Sequence, residues 1–67
     1  MQEMGTVKWC NASRGFGFIV MDSGEEIFVH ASVLNRAGIT GLNEGQRVYV
    51  GVTEGRKRPE AASIQLA

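Results

Sequence analysis

Arg14-Gly-Phe-Gly-Phe-Ile19, followed after a short turn by Ile27-Phe-Val-His30, is the pair of runs on which the fold turns. Side chains on a strand alternate between faces, so Phe16 and Phe18 share one face while Gly17 and Ile19 share the other. Likewise Phe28 and His30 point one way, and Ile27 and Val29 the other. Only one of these faces can be the core. The β-branched aliphatics suit a core better than a face carrying an imidazole. They also match a valine row further along, where Val48, Val50 and Val52 alternate with Tyr49 and Gly51. The pattern therefore turns Phe16, Phe18, Phe28 and His30 outward. A slip of one residue would invert this and put the phenylalanines inside, and that is the alternative a structure has to decide.

Short apolar runs of this kind recur between turn signals along the whole chain, and no window has convincing helical periodicity, so the fold class is all-β. Five strands are predicted, over Gly5–Asn11, Gly15–Met21, Glu26–His30, Gln46–Thr53 and Glu60–Leu66. In the last of them Ala62, Ile64 and Leu66 repeat the inward valine pattern of the fourth. Gly55 and Pro59 bracket a hairpin loop. The link from Ala31 to Gly45 is too long for a hairpin, and Ser32 ahead of Val33 and Leu34 is placed to cap one short helical turn. Five short strands cannot leave two sheet edges bare without inviting association, so closure into a barrel is the expected solution.

With 67 residues the chain has room for one domain, residues 1–67, and one small core. The single cysteine, Cys10, has no partner for an internal disulfide, and with His30 as the only other soft ligand no metal-site spacing is present. Neither a leader nor a long apolar run is found, which reads as a cytoplasmic protein without a membrane partner. Seven Lys and Arg balance seven Asp and Glu, which argues against nucleic-acid binding through overall positive charge. Charge is nonetheless unevenly distributed. Lys8 and Arg14 sit among the aromatics and Arg56, Lys57 and Arg58 are consecutive, whereas Asp22, Glu25, Glu26 and Glu44 fall elsewhere.

An outward aromatic patch on so small a domain marks a partner surface. Unpaired nucleobases suit it, because each base offers a flat π-face that can stack on a ring for about 1–3 kcal/mol. Trp9 ends the first strand near this face, although alternation alone leaves its side open. Gly15 and Gly17 leave room for a ribose or base to approach. Lys8, Arg14, Arg56, Lys57 and Arg58 could hold phosphates at the rim. Cys10 is most simply a small apolar residue near a strand end.

At this point the residues resemble the bacterial cold-shock proteins, over essentially the whole chain. Gly5-Thr-Val-Lys-Trp-Cys-Asn11 is similar to that family's first strand, Arg14–Ile19 to its first ribonucleoprotein motif and Ile27–His30 to its second. Leu42-Asn-Glu-Gly-Gln-Arg-Val48 and Pro59-Glu-Ala-Ala62 resemble its later strands. RNA-recognition-motif domains use a similar string, but they need two helices and place the two motifs in the opposite order. The resemblance implies a five-stranded antiparallel Greek-key barrel of the OB-fold type that binds single-stranded RNA or DNA, as an RNA chaperone or antiterminator, without cofactor. It implies binding roles for Lys8, Trp9, Phe16, Phe18, Phe28 and His30, and puts Asn11, Arg14, Asp22 and Lys57 at positions that contact or frame the strand. Arg14 stands where lysine is usual. Cys10 and Ala31 replace residues that are usually phenylalanine, and Ile39 falls where many members carry another exposed ring, so the platform is expected to be smaller than usual. Arg36-Ala-Gly-Ile39 and Pro59-Glu-Ala61 are also similar to second domains of tandem cold-shock proteins in some proteobacteria.

A protein-binding barrel using the same aromatic patch is the alternative function, separable by titration with oligonucleotide against peptide. No paired carboxylates, nucleophile–base pair or metal set suggests an enzyme. A monomer is the expected state, with a weak or swapped dimer as the alternative.

Overall fold

The computed structural model describes residues 2–11, 13–55 and 58–67. Five strands and one short helix follow one another: β1 (Gln2–Asn11), β2 (Phe16–Met21), β3 (Glu26–His30), α1 (Ala31–Arg36), β4 (Arg47–Glu54) and β5 (Pro59–Leu66). They close into a barrel in the order β1-β2-β3-β5-β4. The long β1 makes closure possible, since its first half pairs with β4 from Gln2 to Thr6 while its second half continues along β2. All neighbours run antiparallel except β3 and β5, which meet in parallel through the single pair Phe28 and Glu60.

The inward row is aliphatic throughout. Val7, Ile19, Ile27, Val29, Val48 and Val50 are almost wholly buried, and Met21, Ala61 and Ile64 complete the barrel interior. Val33 and Leu34 of α1 and Leu42 of the following loop join the same cluster. Each such side chain contributes about 1.5–3 kcal/mol when taken out of water, and no polar side chain among the described residues is buried with them. The phenylalanines are not part of this cluster. The interior thus follows the aliphatic phase of the alternation.

Several expectations need correction. The first strand begins at Gln2 rather than Gly5, the second at Phe16 rather than Gly15, the fourth spans Arg47–Glu54 and the fifth starts at Pro59. In β5 the inward residues are Ala61 and Ile64, whereas Ala62 is exposed and Leu66 is 46% exposed. The cause is an irregularity between β4 and β5: Gly51 faces Ser63 and Val52 faces Ala61, so Ala62 is an extra residue that shifts the phase. Ser32 does not cap α1. The N-cap is His30, whose Nδ1 accepts from the backbone N–H of Ser32 at 3.1 Å, with the Ser32 hydroxyl also at 3.1 Å from that nitrogen. Ile39 and Cys10 are partly buried and pack against the core.

Candidate nucleic-acid interface

Strand registers place the outward rings in rows that cross the barrel. Trp9 of β1 lies opposite Phe18 of β2, and Phe18 lies opposite Phe28 of β3. Beside this row runs a second one, Asn11 opposite Phe16 and Phe16 opposite His30. Ring centroids are 5.4 Å apart for Trp9–Phe16 and Trp9–Phe18, 5.6 Å for Phe16–Phe28 and Phe18–Phe28, and 6.4 Å for Phe28–His30. These spacings are those of favourable aromatic pairs, each worth about 0.5–1.5 kcal/mol beyond area burial. The rings are half-buried because they cover one another, and Trp9 remains 36% exposed and His30 exposed.

Trp9 reaches this face through a β-bulge. The register slips between Val7 and Trp9, leaving Lys8 as the additional residue, so that Val7 points inward and both Lys8 and Trp9 point outward. The close approach of β1 and β2 there depends on Gly17, since a Cβ on it would come within 2.7 Å of the Trp9 carbonyl oxygen and 2.9 Å of the Cys10 Cα. Asn11 shapes the adjoining turn. Its backbone carbonyl accepts from the N–H groups of Arg14 and Gly15, its side-chain Oδ1 accepts from Arg14 N–H at 3.2 Å, and Gly15 takes the left-handed φ of 83° that the turn requires.

The charged residues divide. The Arg58 guanidinium carbon lies 5.7 Å from the Phe18 ring centre, within cation–π range. Arg14 is exposed in the turn next to Phe16. Lys8 is paired with Glu26 at 3.2 Å, a link between two exposed side chains that a phosphate could replace. Asp22 stands apart from the rings, beyond the end of β2. There Arg47 donates to both of its carboxylate oxygens, at 2.9 and 3.0 Å, and to the Thr6 hydroxyl at 2.7 Å. The Arg47 hydrogen bonds hold the Asp22 carboxyl below its ordinary value, and the same bonds raise Arg47. Arg56 and Lys57 lie outside the described residues.

The row of rings also continues onto residues that the sequence did not single out. Glu60 of β5 lies opposite Phe28, and Thr53 of β4 lies opposite Glu60. Beside them opens a cleft of about 440 Å³, bounded by Phe28, His30 and Glu60 with Arg36 of α1. Nothing in the local pattern around Glu60 points to this, because its neighbours in space come from a parallel pairing between strands far apart in sequence. Among the described residues no group of His, Cys, Asp or Glu is arranged to hold a metal ion. No helix there is long and apolar enough to cross a membrane.

Comparison with known proteins gives this surface its context. Residues 3–67 match the family described as the "Cold-shock" DNA-binding domain. The chain is 46% identical over 65 residues to cold shock protein CspC of Bacillus subtilis, covering 97% of this chain and 98% of that protein. It is 47% identical over 62 residues to cold shock protein CspA of Staphylococcus saprophyticus, covering 92% and 94%. It is likewise 47% identical over 60 residues to the major cold shock protein of Streptococcus pyogenes, covering 90% of each. A barrel with an aliphatic interior and this extent of match lead to one assignment: the chain belongs to the cold-shock domain family, whose members are nucleic-acid-binding proteins and not enzymes.

Proposed function

We propose that this protein binds single-stranded RNA or DNA by stacking unpaired bases on Trp9, Phe16, Phe18, Phe28 and His30, and that it acts in the cytoplasm as an RNA chaperone or antiterminator. The observation that carries the reading is the cross-strand row Trp9–Phe18–Phe28 with Phe16 and His30 beside it. Successive rings along adjacent strands match successive bases of a flexible single strand. A duplex buries the faces of its bases against each other and offers the platform none. Lys8, Arg14 and Arg58 border the rings, and Arg56 and Lys57 adjoin Arg58 in sequence. They supply phosphate contacts. Asn11 acts by holding the turn that presents Arg14 and Phe16, and Asp22 frames the site from a distance by fixing Arg47. The platform is built within one chain, which supports action as a monomer. Stacking that is sequence-tolerant and involves no bond cleavage suits a protein that keeps RNA unpaired.

Trp9 fluorescence during titration tests this directly. Single-stranded oligonucleotides should alter the emission and saturate, with affinity falling as salt rises at a log–log slope of about −0.7 per phosphate contacted. Duplex of the same sequence should bind far more weakly. Equal affinity for duplex and single strand, or a response only to peptides, would overturn the proposal.

A further inference from the structure

We propose that Glu60 turns the cleft beside Phe28 into a site selective for guanine within a bound single strand. This rests on the stacking reading above and adds a base preference to it.

Phe28 and Glu60 are direct partners across the β3–β5 seam, so their side chains leave the same face on strands about 4.8 Å apart. The row Trp9–Phe18–Phe28 is thus extended by a carboxylate in place of a fourth ring. A base stacked on Phe28 has its edge within reach of that carboxylate. Gly55 lets the β4–β5 hairpin close tightly, since a Cβ there would lie 2.5 Å from the Arg58 carbonyl oxygen, and a Glu60 carboxylate oxygen packs beside it, 2.8 Å from that same position. The cleft that Glu60 borders, about 440 Å³, falls within the range of about 300–1,000 Å³ that small-ligand sites occupy.

Hydrogen-bond chemistry then chooses the base. An ionised carboxylate only accepts, through two oxygens side by side. Among the common bases, guanine alone offers two adjacent donors on its pairing edge, the ring N1–H and the exocyclic amino group. Uracil and thymine offer one N–H flanked by carbonyl oxygens that a carboxylate repels. Cytosine and adenine offer one amino group next to an acceptor nitrogen. The third group on the guanine edge is the O6 acceptor, which needs a donor. His30 supplies one: its Nδ1 is occupied in accepting from Ser32 N–H, so the proton of the neutral ring sits on Nε2. Arg36, on the α1 side of the same cleft, supplies a second donor and a positive charge for the adjoining phosphate.

The test uses uridine oligonucleotides carrying one guanine, inosine or adenine at each position in turn, titrated against the protein and against Glu60→Ala. One guanine position should bind about tenfold more tightly than uridine there, the low end for a bidentate contact at an exposed site. Inosine, which lacks the exocyclic amino group, should lose most of that gain without any change to the protein. Glu60→Ala should erase the guanine preference and tighten the uridine oligonucleotide, because the repelling carboxylate is gone. Matched thermal melts show whether the variant is folded. Equal binding of guanine and inosine at every position, or a guanine preference kept in the folded variant, overturns the inference while leaving base stacking intact. Absence of binding by every oligonucleotide overturns the stacking reading with it.

Discussion

Phe28 stands where the two ring rows and the cleft meet, in contact range of Phe16, Phe18 and His30. It contributes nothing to the aliphatic cluster inside the barrel. Phe28→Ala should therefore weaken single-strand binding by about 1–3 kcal/mol, the value of one stacked base, while the domain stays folded and loses in a urea melt only the ring pairs with Phe16 and Phe18, about 0.5–1.5 kcal/mol each. The paired measurement is an oligonucleotide titration and a denaturation curve on the same variant, and an unfolded variant with affinity intact in its folded fraction would place Phe28 in the core after all. The outward position of Phe28 was legible in the sequence because two aliphatics flank it with strict alternation. Trp9 was not legible in the same way. Its side depends on the bulge at Lys8, and a bulge is a property of two strands together that neither one announces alone.

At the scale of an element, α1 shows one residue holding two offices. His30 lies on the platform near Phe28 and also caps the six-residue helix through Nδ1. The two contributions separate by substitution. His30→Ala should cost about 0.5–2 kcal/mol of stability through the lost cap and should weaken binding as well. His30→Asn keeps a side-chain acceptor for Ser32 N–H, so it should recover most of the stability while binding stays weakened. Equal stability for the two variants in thermal melts would show that the cap is not what the ring provides. The sequence points to a helical turn here but to Ser32 as its cap, since serine is a common N-cap and histidine is not. The same limit explains β5. Strict alternation puts Ala62 and Leu66 inside, but Ala62 is an extra residue in β5 opposite Gly51 and Val52, so Ala61 turns inward instead, and that register belongs to the two strands together rather than to β5 alone.

Across the whole molecule, charge balance and closure set the behaviour. Asp22 and Arg47 tie the end of β2 to β4 through two hydrogen bonds, and those bonds lower the Asp22 carboxyl below its ordinary 3.8. A carboxyl depressed in the folded state stabilises the fold above its unfolded value, and that contribution is lost as pH falls through the lower, folded one. Wild type should thus melt higher than Asp22→Asn near neutrality, and the gap should close in acid below about pH 3.8. A gap that stays constant through that range would mean the pair does not act through ionisation. The barrel also has a weak join. Four of its five strand contacts are long antiparallel ladders, but β3 and β5 share one register pair, Phe28 with Glu60. The rings stand on one bank of that join and Arg58 and Glu60 on the other. A nucleic-acid strand laid along the row would therefore work as a clasp, fastening from outside two strands that the backbone barely fastens from within. Hydrogen exchange should register this as slowing concentrated in β3 and β5 when an oligonucleotide binds, whereas uniform slowing over all five strands would mean that the ligand only shifts the global folding equilibrium.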